Sequence, residues 1–551
     1  MSPLFRFSTM VNFITILPQE IISAIFLHLD QSDCIECMHV CRQWFTSIPN
    51  FTTALWTKLI ISTNAWKTTN DCLLSCLGPH VQHVSIIGLN ISNIWKTLIN
   101  KGCSITSLDI KSSKGYWGVD DNDDRNNNET VTKELLYPSD FRLLFSLEQF
   151  SGTMTKLSIT NHTSYITPQR ILKCLPALTH FTLTFGDLKS DPINTTVAIF
   201  RSNIVYLHLD MLCSARPSFN TLLHCCRKLQ WLIMEPHASR YYDSFCDELN
   251  FYHLMLLCPY LTFIRWANPG RRTSDSHYWD ILQSSSMNND NKIYKPLNPD
   301  KKLRYITLEA DKETVNTTLH DLATYQESIE YLEVGFPLKD ECHWDRLLPL
   351  RFPQLKQLCL PDITVIDTER IYQWTQFFSN CQNLEQIQML VNLEDGEHEV
   401  SPEVTVAFYN TISQLKHLKR FESDLWPSRI QHVDIGHFIC RNTCLTYLEL
   451  ANTCFSDAGF VALTELPCLK YLALHMEDKH TGCVSTDALL EFADKLSTKS
   501  ASCNTCLTTL KLYYMSNLND DVRVRVSKIS SLTDLTMIKG KQHGTVLLAM
   551  E

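Results

Sequence analysis

Glycine is scarce in this chain, with 15 residues in 551. No Gly-x-Gly occurs, which excludes the glycine-rich loops that dinucleotide-binding folds and protein kinases place over phosphates. The signature motifs of P-loop proteins, zinc proteases and α/β-hydrolases are also absent. The 20 histidines are scattered, and single ones such as His180 and His208 are expected to be surface groups. The sequence therefore predicts a protein that is not an enzyme and that uses no cofactor or metal.

Long apolar runs are missing as well. No window reaches the ~18 consecutive apolar residues that a membrane-spanning helix needs. The apolar N-terminus is interrupted by polar residues and lacks the basic leader of a secretion signal. A net charge of −10 argues against nucleic-acid binding, which requires a basic stripe. We expect a cytoplasmic or nuclear protein, or one found in both, without membrane or nucleic-acid partners.

One pattern recurs through most of the chain: an apolar residue, two variable ones, an apolar residue, one variable and another apolar one. The clearest copy is Leu445-Thr-Tyr-Leu448-Glu-Leu450. Sixteen copies begin at Val81, Ile105, Met154, Leu178, Ile204, Leu229, Leu261, Leu303, Ile329, Leu355, Leu384, Leu418, Leu445, Leu469, Leu507 and Leu532. Neighbouring copies commonly start about 25 residues apart, within the period of leucine-rich repeats. This repetition predicts a solenoid, and solenoids mostly bind other molecules.

Each repeat is predicted to contain one strand and one helix. In the clearest copy, Leu448 and Leu450 should point inward while Tyr447 and Glu449 point outward, because side chains alternate along a strand. Ser456 is a predicted N-cap of the helix that follows. The predicted fold class is α/β, with an N-terminal helical domain before a horseshoe of about 16 strand–helix units that share a parallel concave sheet.

The solenoid is predicted to occupy residues 81–551. Two polar stretches, near 111–134 and 268–302, are expected to be inserted loops. Residues 61–80 are predicted to form a linker or the helix of the first repeat, and residues 11–60 a separate helical domain.

The 22 cysteines are explained largely by the repeats. Several lie one to four residues before a strand motif: Cys174, Cys225, Cys226, Cys258, Cys381, Cys444, Cys468 and Cys506. A small apolar thiol suits a tight corner between helix and strand, so these are expected to be buried structural thiols. The alternative is a metal site on Cys34-x2-Cys37 or Cys503-x2-Cys506, but neither has a second pair at zinc-binding spacing. Many free thiols favour a reducing compartment.

The N-terminal residues do not follow the repeat. Pro18 begins an apolar helical run in which Ile22, Ile25, Phe26 and Leu29 share one face. Ser32 is predicted to cap a second helix, and a third begins at Arg42. About forty-five residues of helix cannot bury this much apolar surface internally, so we expect a docking surface for another protein.

This segment resembles an F-box, in which Leu-Pro-x-Glu is followed by aliphatic residues, Ile-Phe, Leu, Val-Cys-x-x-Trp and Leu-Trp. All of these landmarks are present as Leu17, Pro18, Glu20, Ile21, Ile22, Ile25, Phe26, Leu29, Val40, Cys41, Trp44, Leu55 and Trp56. With the repeats, nearly the whole chain resembles the F-box/leucine-rich-repeat family. The position after the last leucine of the motif, often Asn or Cys in that family, is mixed here.

The resemblance implies a substrate receptor of an SCF-type cullin–RING ubiquitin ligase. The F-box would bind a Skp-type adaptor and, through it, the cullin and RING subunits, while the concave face binds the protein to be ubiquitinated and degraded. Two alternatives remain: a repeat scaffold without ligase output, and a purely structural helical cap of the solenoid.

Two sets of binding residues are predicted. Those expected against the adaptor are Leu17, Pro18, Ile22, Ile25, Phe26 and Leu29, with Val40 and Trp44 completing the hydrophobic core. Outward aromatic residues of successive strands predict a target-binding stripe of Tyr206, Trp231, Phe263, Tyr305 and Tyr331, which begins beside His180. Nearby carboxylates, including Glu333, Glu422 and Glu449, suggest a basic, partly apolar target segment. The alternative is that aromatic residues simply favour strands.

Overall fold

A computed structural model describes eighteen stretches of the chain. These are residues 13–62, 70–87, 91–111, 147–160, 168–187, 200–212, 222–236, 251–266, 303–309, 322–335, 347–363, 368–391, 402–423, 435–451, 455–475, 484–501, 506–513 and 518–538. The two predicted inserted loops lie almost entirely outside the described residues. The chain divides into two compact units, the first containing residues 1–240 and 256–260 and the second residues 241–255 and 261–551.

The first unit starts with three helices and continues as a parallel sheet. Its elements are α1 (Gln19–Leu27), α2 (Gln31–Met38), α3 (Arg42–Phe51), β1 (Lys58–Ser62), α4 (Asn70–Ser75), β2 (His83–Ile87), α5 (Ile91–Asn100), β3 (Ser107–Lys111), β4 (Lys156–Thr160), α6 (Pro168–Cys174), β5 (His180–Asp187), β6 (Tyr206–Leu212) and β7 (Trp231–Pro236). Each strand pairs in parallel with the next strand in sequence, from β1 to β7.

The second unit repeats this arrangement. After α7 (Phe251–Leu257), which contains residues of both units, its elements are β8 (Phe263–Trp266), β9 (Tyr305–Glu309), β10 (Tyr331–Gly335), β11 (Gln357–Ile363), α8 (Thr368–Asn380), β12 (Gln386–Val391), α9 (Pro402–Ser413), β13 (Arg420–Ser423), α10 (Gly436–Ile439), β14 (Tyr447–Ala451), α11 (Asp457–Ala462), β15 (Tyr471–His475), α12 (Thr486–Ala501), β16 (Thr509–Tyr513), α13 (Asp520–Val526) and β17 (Asp534–Ile538). Strands β8 to β17 also pair in parallel in chain order.

The repeat motif coincides with a strand in all sixteen copies, so the predicted fold class is confirmed. Within the clearest copy, Leu445, Leu448 and Leu450 are fully buried, while Tyr447 and Glu449 are half-buried on the other face of the strand. Apolar residues at these three positions form the core because each repeat stacks them on the same residues of the neighbouring repeats.

Threonines before the strands reinforce the stacking. The hydroxyl of Thr179 donates to the carbonyl of Thr155 at 3.0 Å, and that of Thr155 donates to the carbonyl of Thr106 at 3.1 Å. In the second unit Thr446 and Thr508 make the same bond to Lys419 and Lys470. Side-chain hydrogen bonds between successive repeats thus supplement the backbone hydrogen bonds of the sheet.

The helices pack closely on the other side of the sheet. As predicted, Ser456 caps α11, since its hydroxyl accepts from the backbone N–H of Gly459 at 2.9 Å. A Cβ at Gly436 would lie 2.1 Å from the carbonyl oxygen of Gly459. Glycine is therefore required at residue 436 because α10 and α11 approach each other at this point.

Candidate functional site

The N-terminal helices begin at identifiable caps. The side chain of Asp30 accepts from the backbone N–H of Asp33 at 2.8 Å, so Asp30 caps α2. The prediction of Ser32 as this cap was wrong by two residues, because α2 already begins at Gln31. Pro18 occupies the N-cap position of α1, where its missing N–H costs no helical hydrogen bond.

One apolar stripe of α1 forms the core of the three-helix segment. Ile22 and Phe26 are buried, and the ring of Phe26 meets that of Trp44 edge to face with centroids 5.8 Å apart. Met38 and Ile48 are buried in the same segment. Two of the residues predicted at the adaptor interface, Ile22 and Phe26, therefore lie inside the domain and support its surface from beneath.

A second apolar surface, formed by α1 and the residues directly before it, is exposed. The exposed fractions are 62% for Ile16, 36% for Leu17, 49% for Ile21, 40% for Ile25 and 46% for Leu27. Pro18 is exposed and Leu29 half-buried. Exposed apolar side chains grouped on so short a segment are typical of protein interaction surfaces.

Val40 is 65% exposed, so its predicted place in the hydrophobic core was wrong. The helix α2 ends at Met38, and it is Met38 that turns inward there. Val40 follows this end and adds to the exposed apolar surface.

The thiols divide into two groups. Cys225, Cys226, Cys258 and Cys381 are buried as predicted, and burial raises the pKa of Cys258 to about 12, which keeps this thiol protonated. Cys174 is half-buried. The prediction of burial was wrong for Cys444, Cys468 and Cys506, which are exposed because they directly precede the motif, on the outer side of the turn into the strand.

Cys34 and Cys37 both lie on α2, and Cys34 is buried. No group of three or more histidine, cysteine, aspartate or glutamate side chains among the described residues is arranged to hold a metal ion. The partner of Cys506 in the other predicted pair, Cys503, lies outside them.

The predicted aromatic stripe is partly enclosed. In the first unit the rings of His180 and Tyr206 stack with centroids 5.7 Å apart, and Trp231 is half-buried. In the second unit Tyr305 lies between Phe263 and Tyr331 at centroid distances of 6.1 and 6.5 Å. However, Phe263 and Tyr331 are 2% and 6% exposed, so neither offers an accessible face.

A carboxylate explains why Tyr331 is held inside. Its hydroxyl donates to Glu333 at 2.8 Å, and the hydroxyl of Thr307 donates to the same oxygen at 3.1 Å. Burial, followed by the nearby charge of Glu333, raises the pKa of Tyr331. Glu333 therefore serves as an internal hydrogen-bond acceptor.

A second aromatic cluster lies on the inner face of β14–β16. The rings of Tyr447 and Tyr471 stack at 4.1 Å with 2° between their planes, and those of His475 and Tyr513 stack at 4.3 Å. The guanidinium of Arg420 lies 3.6 Å from the centroid of Tyr447. Arg420, His475 and Tyr513 are not among the predicted binding residues, although they occupy outward positions of β13, β15 and β16.

No described helix has the length and apolar composition required to cross a membrane.

Residues 14–62 match the family model of the F-box-like domain. The strands that follow carry the repeat motif in register. The chain thus pairs an F-box-like domain with leucine-rich repeats. A comparison with curated proteins gives no match.

Two solved structures illustrate the likeness of the repeats. One is the internalin inlF of Listeria monocytogenes, at 11% identity over 72% of this chain and 83% of the internalin, with a TM-score of 0.32. The other is the LRR ectodomain of the receptor kinase GASSHO1/SCHENGEN3 from Arabidopsis thaliana, at 13% identity and a TM-score of 0.36. The match covers 89% of this chain but only 51% of that ectodomain. Likenesses of this strength say nothing about what this chain binds.

The F-box-like domain is built directly into the repeat sheet. Its match ends at Ser62, the last residue of β1, and β1 pairs along its whole length with β2. Trp56 is fully buried beside this strand, and its indole N–H donates to Thr52 at 2.8 Å. The side-chain amide of Gln31 donates to the carbonyls of Leu55, at 2.9 Å, and of Lys58. The F-box-like domain and the first repeat thus share one core and one sheet.

Proposed function

We propose that this chain is the substrate-recognition subunit of an SCF-type ubiquitin ligase. The F-box-like domain binds a Skp-type adaptor, through which cullin and RING subunits are recruited, and the repeats hold the protein to be ubiquitinated. The observation that supports this proposal is the exposed apolar surface formed by α1 and the residues directly before it, inside the segment that matches the F-box-like family.

The proposed mechanism is proximity. A receptor that holds a target and an adaptor at once raises the effective concentration of target lysines near a ubiquitin-loaded enzyme. Such a receptor requires no catalytic residue of its own. The continuous pairing of β1 with β2 supports this mechanism, because it fixes the F-box-like domain to the first repeat.

The adaptor surface is proposed to consist of Leu17, Pro18, Ile25 and Val40, with Leu29 and Trp44 at its margin. Ile22 and Phe26 support it from the core. This division follows from burial: the first four side chains are exposed, Leu29 and Trp44 are half-buried, and Ile22 and Phe26 have almost no apolar surface left to remove from water.

The double substitution Leu17→Ala/Pro18→Ala should weaken adaptor binding by about 10–100-fold, which corresponds to about 1.4–2.8 kcal/mol. The expected cause is the loss of two exposed apolar contacts at the start of α1. Binding of a recombinant Skp-type adaptor to the full chain can be measured by titration calorimetry.

A matched control is Leu256→Ala/Val524→Ala, which shortens two exposed apolar side chains outside the F-box-like domain. We expect the control to bind the adaptor like the wild type. An unchanged affinity of the Leu17→Ala/Pro18→Ala protein would overturn the assignment. A scaffold without ligase output would bind the adaptor but fail to co-purify with cullin and RING subunits.

A further inference from the structure

The inner face of the second unit differs in accessibility along the sheet. From β8 to β12, most outward side chains are buried, including Phe263, Arg265, Thr307, Tyr331, Glu333, Cys359 and Gln388. From β13 to β16, the corresponding side chains are partly exposed, including Arg420, Glu422, Tyr447, Glu449, Tyr471 and Lys511. If the repeats hold a protein, as proposed above, β13–β16 is the part of this inner face with side chains available to contact it.

The carboxylates of this region already have donors within the chain. One oxygen of Glu422 accepts from Gln388 at 2.9 Å, and the other accepts from Arg420 at 2.8 Å. One oxygen of Glu449 accepts from the hydroxyl of Tyr447, and the other lies 3.5 Å from His475 Nε2. All four oxygens are therefore engaged, and a basic target residue would have to displace these partners.

Donors and positive charge remain accessible on the same face. The ammonium of Lys511 forms an ion pair with Asp534 at 3.9 Å, a distance too long for a hydrogen bond. Burial, followed by the charge of Glu449, raises the pKa of Tyr471, so its hydroxyl, which also has a hydrogen bond with Tyr447, stays protonated.

Contacts within the chain also order the aromatic cluster of β13–β16 in the absence of a partner. Tyr447 is fixed by Arg420 on one side and Tyr471 on the other, while the ammonium of Lys511 lies 5.7 Å from the centroid of Tyr471. Ordered tyrosine and arginine side chains lose little entropy on binding and are frequent interaction hot spots.

We propose that the inner face of β13–β16 binds an acidic segment of the target protein, with a target carboxylate against Lys511 and the hydroxyl of Tyr471. This inference rests on the proposed function, in which the repeats hold a protein. It reverses the sequence-based expectation of a basic target, because the carboxylates that suggested such a target pair within the chain.

The test selects ligands without knowledge of the target. A random 12-residue phage-displayed peptide library is selected on the immobilised full chain, and the enriched sequences are compared with those selected on Lys511→Glu. We expect peptides rich in Asp and Glu on the wild type, and at least a tenfold loss of affinity of the best synthetic peptide for Lys511→Glu.

Lys528→Glu is the matched control, because it makes the same charge change at an exposed lysine after α13. It should bind the peptide like the wild type. Tyr471→Phe, which removes one hydroxyl and keeps the stacked ring, should weaken binding less than Lys511→Glu does. Circular dichroism of each variant checks that it is folded.

Enrichment of basic peptides, the absence of any enriched sequence, or equal affinity of wild type and Lys511→Glu would each overturn the proposal. Adaptor binding is measured on the same preparations. If acidic peptides do not bind but the adaptor does, the proposed F-box function is unaffected. If the wild-type chain binds acidic peptide but no adaptor, only the proposed F-box function is contradicted.

Discussion

Replacing Trp56 by alanine should lower the free energy of unfolding of the first unit by about 3–5 kcal/mol. Trp56 is one of the largest fully buried side chains and lies directly before β1, the strand that ends the F-box-like match and pairs with the first repeat. Removing the indole opens a cavity beside β1 and leaves the hydroxyl of Thr52 without the donor that now lies 2.8 Å away. Urea unfolding monitored by far-UV circular dichroism measures the change, because this signal does not depend on the fluorescence of the removed tryptophan.

Thr52→Val separates packing from hydrogen bonding in this prediction. The Thr52 hydroxyl accepts from Trp56 and donates to the carbonyl of Ile48 at 2.7 Å. Valine keeps the volume and removes both bonds, so we expect a smaller loss of about 1–3 kcal/mol. Equal stability of Trp56→Ala and wild type would contradict the shared core of the two parts.

Acidification should destabilise the first unit through His180. Burial, followed by the charge of Lys156, lowers the pKa of His180 from 6.5 to about 4. The unfolded chain takes up a proton near pH 6.5, whereas the folded chain does so only near pH 4. The free energy of unfolding therefore falls as the pH decreases from about 7 to about 4, by at most about 3 kcal/mol from this residue.

His180→Phe tests this attribution. Phenylalanine keeps a ring that can stack on Tyr206 and cannot titrate. As the pH is lowered from 7 to 4.5, the free energy of unfolding should fall more for the wild type than for His180→Phe. Parallel stability curves for the two proteins would show that His180 does not carry the pH dependence.

The strands could be predicted from sequence because their signal is local. Leu445, Leu448 and Leu450 show the alternation that buries them, and each other copy repeats it. The strand β1 was missed although Trp56-Thr-Lys-Leu59-Ile-Ile61 fits the same pattern and all three apolar residues are buried. The reason is that Trp56 had been interpreted as the closing residue of the F-box, whereas it belongs to both structures.

Partners between strands could not be predicted. Glu449 and His475 lie 26 residues apart in sequence, and only the register of β14 and β15 brings them together. Burial alone would raise the pKa of Glu449, but hydrogen bonds from His475 and Tyr447 lower it overall. Sequence identifies such a group as an exposed acid, although it is satisfied within the chain.

The F-box face was predicted as a set of residues but not as two layers. The helical period groups Ile22, Ile25, Phe26 and Leu29 on one side, whereas the structure buries Ile22 and Phe26 and exposes Ile25. The apolar face of α1 is wider than the part of it that packs on the core of the domain. The apolar side chains outside that contact are available to a partner.

The adaptor is proposed to bind the exposed apolar surface formed by residues 16–29 and Val40. Hydrogen–deuterium exchange of the full chain, with and without a saturating Skp-type adaptor, tests it directly. The proposed function predicts slower exchange in peptides covering residues 16–29 and Val40, and clearly less protection of the Leu17→Ala/Pro18→Ala protein when both are compared at an adaptor concentration near the wild-type Kd. Protection confined to the repeats, or unchanged exchange of residues 16–29 in a complex that forms, would contradict it.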